Sequence, residues 1–194
     1  TQPLAVKQVV DEGGRVLEKR DIQVEKVITP QLAFMVNHLM KGVMDRGTGH
    51  GARLQGFDRP AAGKTGTTND LKDAWFVGYT PELLAVVWVG FDNQSKLGLS
   101  GAQAALPIWT EFMKRATAGT PVNDFIPPPG IKIIDIDPAS GYRATPRCPQ
   151  VIREAFLEGE EPSGSCPLHP APLAQILTAP RTSISWLLSP FLGK

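Results

Sequence analysis

Residues 63–70 read Gly63-Lys64-Thr65-Gly66-Thr67-Thr68-Asn69-Asp70, and two different chemistries use a run of this kind. One is the phosphate-binding loop G-x-x-x-x-G-K-[ST], whose lysine leads into a helix that holds the anion at its N-terminus. Aligned on Gly63-Lys64-Thr65, that pattern needs a glycine at position 58, where the chain has Asp58. Its carboxylate would face the phosphates. The residues after the lysine are also poor helix formers, so phosphate-loop chemistry fails on both counts. The other is an extended strand bordering a cleft. There a lysine ammonium can hold a substrate carboxylate, and a neighbouring hydroxyl can hydrogen-bond the same group. A glycine lets a substrate backbone lie close, and a backbone N–H beyond it can help stabilise an oxyanion, worth about 3 kcal/mol when well placed.

The flanking sequence supports the strand. Ala61 to Thr67, Ala74 to Tyr79 and Leu83 to Phe91 are three strand candidates, and the short link Thr80-Pro81-Glu82 forces the last two into an antiparallel hairpin. Upstream, Thr29 suits an N-cap and Pro30 the first helical position. The apolar stripe Leu32, Met35, Val36, Leu39, Met40 and Val43 follows, and Gly47 ends the helix in a glycine-rich loop. A β-hairpin is expected before it, from Leu4 to Val10 and Arg15 to Lys19, turning at Asp11-Glu12-Gly13-Gly14. Downstream, Gln103 to Ala118 predicts a second helix with Leu106, Trp109, Phe112, Met113 and Ala116 on one face. Pro107 is expected near its first turn.

Proline marks the main boundary: 13 of the 18 prolines lie after Gly119. Residues 1–119 read as part of a packed α+β domain, an antiparallel sheet flanked by helices, and 120–194 as a Pro-rich C-terminal extension. Ile131 to Ile136 reads as a strand. The apolar group Trp186, Leu187, Leu188 and Phe191, within Leu173 to Leu192, suits packing on the domain or on a partner and is too short and proline-broken to span a membrane. Cys148 and Cys166 sit in a segment poor in apolar residues, which favours a disulfide in an oxidising compartment. A metal site is the weaker reading: Cys166-Pro-Leu-His169 has ligand spacing, but the second half of a four-ligand set is missing.

Composition narrows the function only slightly. Twenty Lys+Arg against 19 Asp+Glu give a formal charge of +1, which offers no electrostatic footprint for nucleic acid. No signal peptide or membrane-length apolar run is visible, so any export signal is expected on another part of the protein.

The stretch from Gly63 to Asp70, then Asp73-Ala74-Trp75-Phe76-Val77-Gly78-Tyr79-Thr80-Pro81, then VVWVGF at Val86 to Phe91 with Asp92-Asn93, resembles the bifunctional (class A) penicillin-binding proteins. Arg46-Gly47-Thr48-Gly49 before it and Ala104 to Met113 after it match the same family, so the likeness covers about residues 1–119. It implies the serine transpeptidase and β-lactamase fold, with Lys64-Thr65-Gly66 as its K-T-G element. Lys64, Thr65 and Thr67 would then bind the terminal carboxylate of a D-alanyl-D-alanine stem peptide or a β-lactam. Gly66 would permit close approach, and the Thr67 backbone N–H would be one half of the oxyanion hole. Asp73 and Trp75 are family-typical, with no mechanism assigned. The resemblance further implies serine acyl transfer that cross-links peptidoglycan, with no metal or organic cofactor. It also implies a periplasmic protein anchored in the bacterial inner membrane upstream, with possible cell-wall synthesis partners.

One departure limits that reading. The family's nucleophile is the serine of an S-x-x-K motif, assisted by S-x-N, and none of the eight serines here has lysine three positions on or asparagine two positions on. Both motifs would precede Thr1, so the chain is expected to be a fragment that is inactive alone. A non-catalytic cell-wall scaffold is the alternative, and a β-lactamase-type hydrolase a more distant one. His38 is expected as an ordinary core or surface residue, and Trp75, Trp88 and Trp109 as packing residues; for His50, among glycines before the strand, a place on the cleft rim is the weaker reading.

Overall fold

The computed structural model describes residues 6–20 and 26–171. The expected tail group between Leu173 and Leu192 lies outside the described residues. A short antiparallel hairpin, β1 (Gln8–Val10) and β2 (Val16–Lys19), comes first. Helix α1 (Pro30–Arg46) starts as expected: Thr29 Oγ1 accepts from the Leu32 N–H at 3.2 Å, and Pro30 takes the first position. The expected glycine-rich loop after α1 leads at Gly51 into a single-turn helix, α2 (Gly51–Leu54). Three strands then form an antiparallel sheet in the order β3 (Ala62–Thr67), β4 (Ala74–Tyr79), β5 (Leu84–Val89). Helix α3 (Gly101–Ala116) crosses one face of it. A separate pair, β6 (Ile131–Ile136) and β7 (Ile152–Leu157), makes up the C-terminal part of the described chain.

Period-two alternation gives the sheet two unlike faces. Ala74, Phe76 and Gly78 of β4 point at α3, where Phe76 and Trp109 meet edge to face at 5.0 Å. Met44, Ala52, Phe57, Leu106 and Met113 complete this core. Trp109 also donates its indole N–H to the Gly78 carbonyl at 3.1 Å, so its polar edge is satisfied inside. The opposite face carries Trp75, Trp88 and Val86, which remain 40%, 44% and 52% exposed. Trp109 therefore fulfils the packing expectation, whereas Trp75 and Trp88 stand half open. The outer edge of β5 pairs with no other strand among the described residues.

Two helix faces differ from the periodic reading. On α1 the buried residues are Phe34 and Met44, while Leu32, Val36 and Leu39 of the expected stripe face outward. On α3, Phe112 and Ala116 are exposed. The stripes mark amphipathic surface, but which stripe is covered depends on what is present to cover it. Helix α3 also begins two residues earlier than expected, at Gly101, because Gln103 Oε1 accepts the Ser100 N–H at 3.0 Å. Pro107 consequently lies in the second turn, inside the helix.

The start of α3 is held against the sheet by a close backbone approach. A Cβ on Gly101 would lie 2.6 Å from the Gly66 carbonyl oxygen and also collide with that of Trp75. Gly101→Ala must push α3 away from β3, and overpacking of this kind costs about 1–3 kcal/mol. The urea midpoint should fall with an unchanged slope.

The C-terminal pair of strands is tied to α1 chiefly by polar contacts. Glu154 of β7 accepts from Arg46 at 2.9 Å and meets His38 Nε2 at 3.0 Å, so His38 is a bridging residue, not a core one. At the far end Lys132 pairs with Glu161 at 3.1 Å. The backbone N–H of Glu161 itself, then the Lys132 ammonium and the Gly159 N–H, hold its carboxyl down at about 2. A depressed carboxylate contributes stability that is complete above its unfolded value, near 4.5, and lost as pH falls towards about 2. Across that window the thermal midpoint should fall more for the native chain than for Glu161→Gln.

Candidate active-site strand

The run that decides the fold lies, as expected, on an edge strand. Thr68 N–H donates inward to the Asp73 carbonyl at 3.1 Å. Backbone alternation then turns the N–H groups of Gly66 and Lys64 towards β4 as well, leaving those of Thr65 and Thr67 on the outer edge. Thr65 and Thr67, two residues apart, share the α3 face. Lys64 starts on the other face, but because β3 is an edge its side chain folds round to reach Thr65. The ammonium donates to the Thr65 carbonyl at 2.9 Å and its hydroxyl at 3.3 Å. The structure thus brings Lys64 and Thr65 together, with Lys64 exposed.

Each hydroxyl has a partner that keeps chemistry available. Thr67 Oγ1 accepts the Gly101 N–H at 3.1 Å. A hydroxyl offers one donor and two lone pairs, so the Thr67 O–H is still free to donate to a carboxylate. Thr65 Oγ1 lies 2.9 Å from Thr48 Oγ1. Thr48, in the loop after α1, was singled out only as part of a matching segment; its polar role follows from tertiary packing, which no local pattern records. Gly66 faces Trp75, and a Cβ there would lie 3.1 Å from the Trp75 Cβ, so the missing side chain serves close packing with β4 as well as an open edge. His50 precedes α2 and is exposed, with no side-chain partner among the described residues.

Asp73 acquires a physical role. Its carboxylate accepts from Trp88 Nε1 at 3.0 Å and from Thr68 Oγ1 at 3.1 Å, while its N–H donates to Thr68 Oγ1 at 2.8 Å. These bonds close the turn from β3 to β4, in which Asp70 and Leu71 take left-handed φ of 63° and 54°. Such a conformation costs a branched residue like Leu71 about 1–2 kcal/mol. A shallow depression of about 830 Å³ lies over this turn, lined by Thr67, Thr68, Asp73 and Trp88 among others. It reaches the Thr67 end of the strand, not Lys64.

The expected Cys148–Cys166 bridge is not formed: both residues are free thiols. Cys166 is buried, and its Sγ lies 3.0 Å from Asp137 Oδ2 and 3.4 Å from His169 Nδ1. The Cys166 hydrogen bond first, then the Ala139 N–H and His169, hold the Asp137 carboxyl well below the usual range. Cys148 and Cys166 instead lie in a polar cluster with Asp137 and His169, of which spacing discloses only the Cys166–His169 half.

Comparison with known proteins shows the family. The family model described as "Penicillin binding protein transpeptidase domain" matches residues 1–114, and "Penicillin-binding protein 1A, C-terminal domain" matches residues 127–171. The chain belongs to the penicillin-binding protein transpeptidase family. It is 38% identical over 167 residues to Penicillin-binding protein 1A of Aquifex aeolicus, covering 85% of this chain and 23% of that protein. It is 40% identical over 158 residues to Penicillin-binding protein 1A of Pseudomonas aeruginosa, covering 76% and 19%. The crystal structure of Penicillin-Binding Protein 1A from Haemophilus influenzae superposes with a TM-score of 0.67 at 27% identity, over 84% of this chain and 30% of that one. The chain spans about a fifth to a quarter of the length of these two curated relatives.

Removing the Asp73 carboxylate should loosen the turn beneath the strand. Asp73→Ala is expected to cost about 1 kcal/mol, and release of the Trp88 indole should red-shift tryptophan emission before global unfolding.

Proposed function

We propose that this chain supplies the substrate-clamping strand of a D-Ala-D-Ala transpeptidase that cross-links peptidoglycan by serine acyl transfer. The observation that carries the reading is the outer edge of β3, which pairs with no other strand among the described residues. There the Thr67 N–H is unpaired by the sheet, the Thr67 O–H can donate, and the Lys64 ammonium lies against the Thr65 hydroxyl. Lys64, Thr65 and Thr67 would receive the terminal carboxylate of a stem peptide or β-lactam, and Gly66 would let its backbone approach. The Thr67 N–H would then form one half of the oxyanion hole. No metal or organic cofactor enters this chemistry.

Serine attack requires a nucleophile that no S-x-x-K motif of this chain provides. The proposal places it in a preceding segment whose strands continue the sheet beyond β5 and cover Trp75, Trp88 and Val86. The half-open state of that face and the unpaired β5 edge support this placement, as does the small share of the relatives' length that the chain spans. The same reading divides the chain near Gly119 into the end of the transpeptidase domain and a C-terminal extension. It sets the catalytic unit on the extracytoplasmic face of the inner membrane, anchored through the preceding segment and open to cell-wall synthesis partners. A non-catalytic scaffold would have no use for a free Thr67 N–H and an ammonium on one edge.

Covalent labelling by a fluorescent penicillin tests the assignment. The 194-residue chain should stay unlabelled. In the full-length protein Lys64→Ala should slow labelling by about a hundredfold, the scale of losing one such electrostatic contact. Labelling of the isolated chain, or wild-type rates for the lysine variant, would refute it.

A further inference from the structure

The search for unassigned chemistry leads to the far end of the C-terminal strand pair. Asp137 follows β6, Cys148 lies in the next turn, and Cys166 and His169 follow β7. One ligand-type atom from each converges, all four within 4.8 Å of one another. Asp137 Oδ2 stands 2.7 Å from His169 Nδ1 and 3.0 Å from Cys166 Sγ, and Cys166 Sγ stands 3.4 Å from His169 Nδ1. A tetrahedral zinc ion with Zn–N, Zn–O and Zn–S bonds of about 2.0–2.3 Å spaces its ligand atoms about 3.3–3.8 Å apart. Opening the Asp137–His169 and Asp137–Cys166 pairs by about half an ångström brings them to these spacings.

From this convergence we infer that Asp137, Cys148, Cys166 and His169 form a structural zinc site that staples the C-terminal unit. Two thiolates and an imidazole select a borderline-soft cation over magnesium or calcium. The surroundings already resemble a finished outer shell. Asp137 Oδ1 is occupied by the Ala139 N–H at 2.8 Å, which aims Oδ2 inward. Cys148 Sγ accepts the Thr145 N–H at 3.2 Å and Cys166 Sγ the Ser140 hydroxyl at 3.3 Å. Donors of this kind orient ligands and stabilise bound thiolates.

A second observation points the same way. Among the described residues after Gly119, only Ile136, Ala155 and Cys166 are buried apolar side chains, while Asp137, at 1% exposure, and Thr145 are buried polar ones. A two-stranded sheet is marginal by itself, and a unit this small needs a staple. A Cys148–Cys166 disulfide would supply one, but it has no hydrogen to donate. The buried Asp137 Oδ2 would then lose the Cys166 thiol donor and keep only His169 Nδ1 at 2.7 Å. A dication at the centre instead displaces the two thiol protons to solvent and takes lone pairs from all four groups, leaving the two thiolates, carboxylate, neutral imidazole and ion with a summed charge of minus one.

The test uses the untagged 194-residue chain, purified under reductant, with zinc content read by mass spectrometry and free thiols counted. About one zinc per chain is expected. Cobalt(II) substitution should give thiolate-to-metal charge transfer and the visible bands of a tetrahedral ion. Cys148→Ser should abolish most of the charge transfer. His169→Ala, at the partly exposed side of the site, should weaken zinc binding by at least about a hundredfold, beyond the usual effect of an outer-shell change, without unfolding the domain built on α3. Because the native chain's own stoichiometry is decisive, a variant that fails to fold does not rescue the idea. A native chain that binds neither zinc nor cobalt with both thiols reduced overturns it, whether or not it was isolated as a disulfide.

Discussion

The contact on which the site depends is the one between the first turn of α3 and the end of β3. Gly101 brings its backbone against the carbonyls of Gly66 and Trp75 and donates its N–H to Thr67 Oγ1. That single junction fixes the height of α3 over the sheet, and with it the burial of Trp109 against Phe76 and Gly78. It also uses one acceptor position of Thr67 while leaving the donor free. Core packing and the orientation of a candidate substrate contact are thus set by the same few atoms. A side chain at position 101 would disturb both.

Edge position explains how two adjacent residues of a strand, Lys64 and Thr65, come together. Successive side chains of a strand alternate faces, so Lys64 and Thr65 should diverge. At an edge, the long lysine stem can curl around the open side, and its ammonium reaches the Thr65 hydroxyl. Inside the sheet the same sequence would bury the ammonium against β-ladder carbonyls or send it to the wrong face. The unpaired N–H groups that make an edge prone to association are the ones that can receive a substrate backbone or an oxyanion.

The elements most legible from sequence were those with local signals. Thr29-Pro30 announced α1, the Thr80-Pro81-Glu82 link announced the β4–β5 hairpin, and the run Ala61 to Thr67 matched β3 within one residue. Periodicity misled where burial depends on partners: Leu32, Val36, Leu39, Phe112 and the Trp75–Trp88 pair read as packing residues, yet they face outward. Strand β7 was missed because Arg153 and Glu154 interrupt the alternation of Ile152 to Leu157; Glu154 is there to meet Arg46 and His38. The supports of the clamp, Thr48 behind Thr65 and Asp73 beneath the turn, depend on contacts 17 and 15 residues apart in the chain. No spacing rule connects them.

The two halves of the described chain solve the stability problem by different means, and α1 joins the solutions. Up to Ala116 the core is apolar and interlocked around Trp109. Beyond Gly119 the buried centre is polar, gathered on Asp137. Helix α1 contributes Met44 to the first and meets β7 through His38 and Arg46 on its other side. His38 and Glu154 are largely shielded from solvent where they meet, so this polar contact is less screened than a surface pair. The join is also spread over many points: besides Glu154, Gln31 donates to the Pro129 carbonyl, Lys41 pairs with Asp124, Asn123 donates to Glu82, and Phe125 packs edge-on against Tyr79.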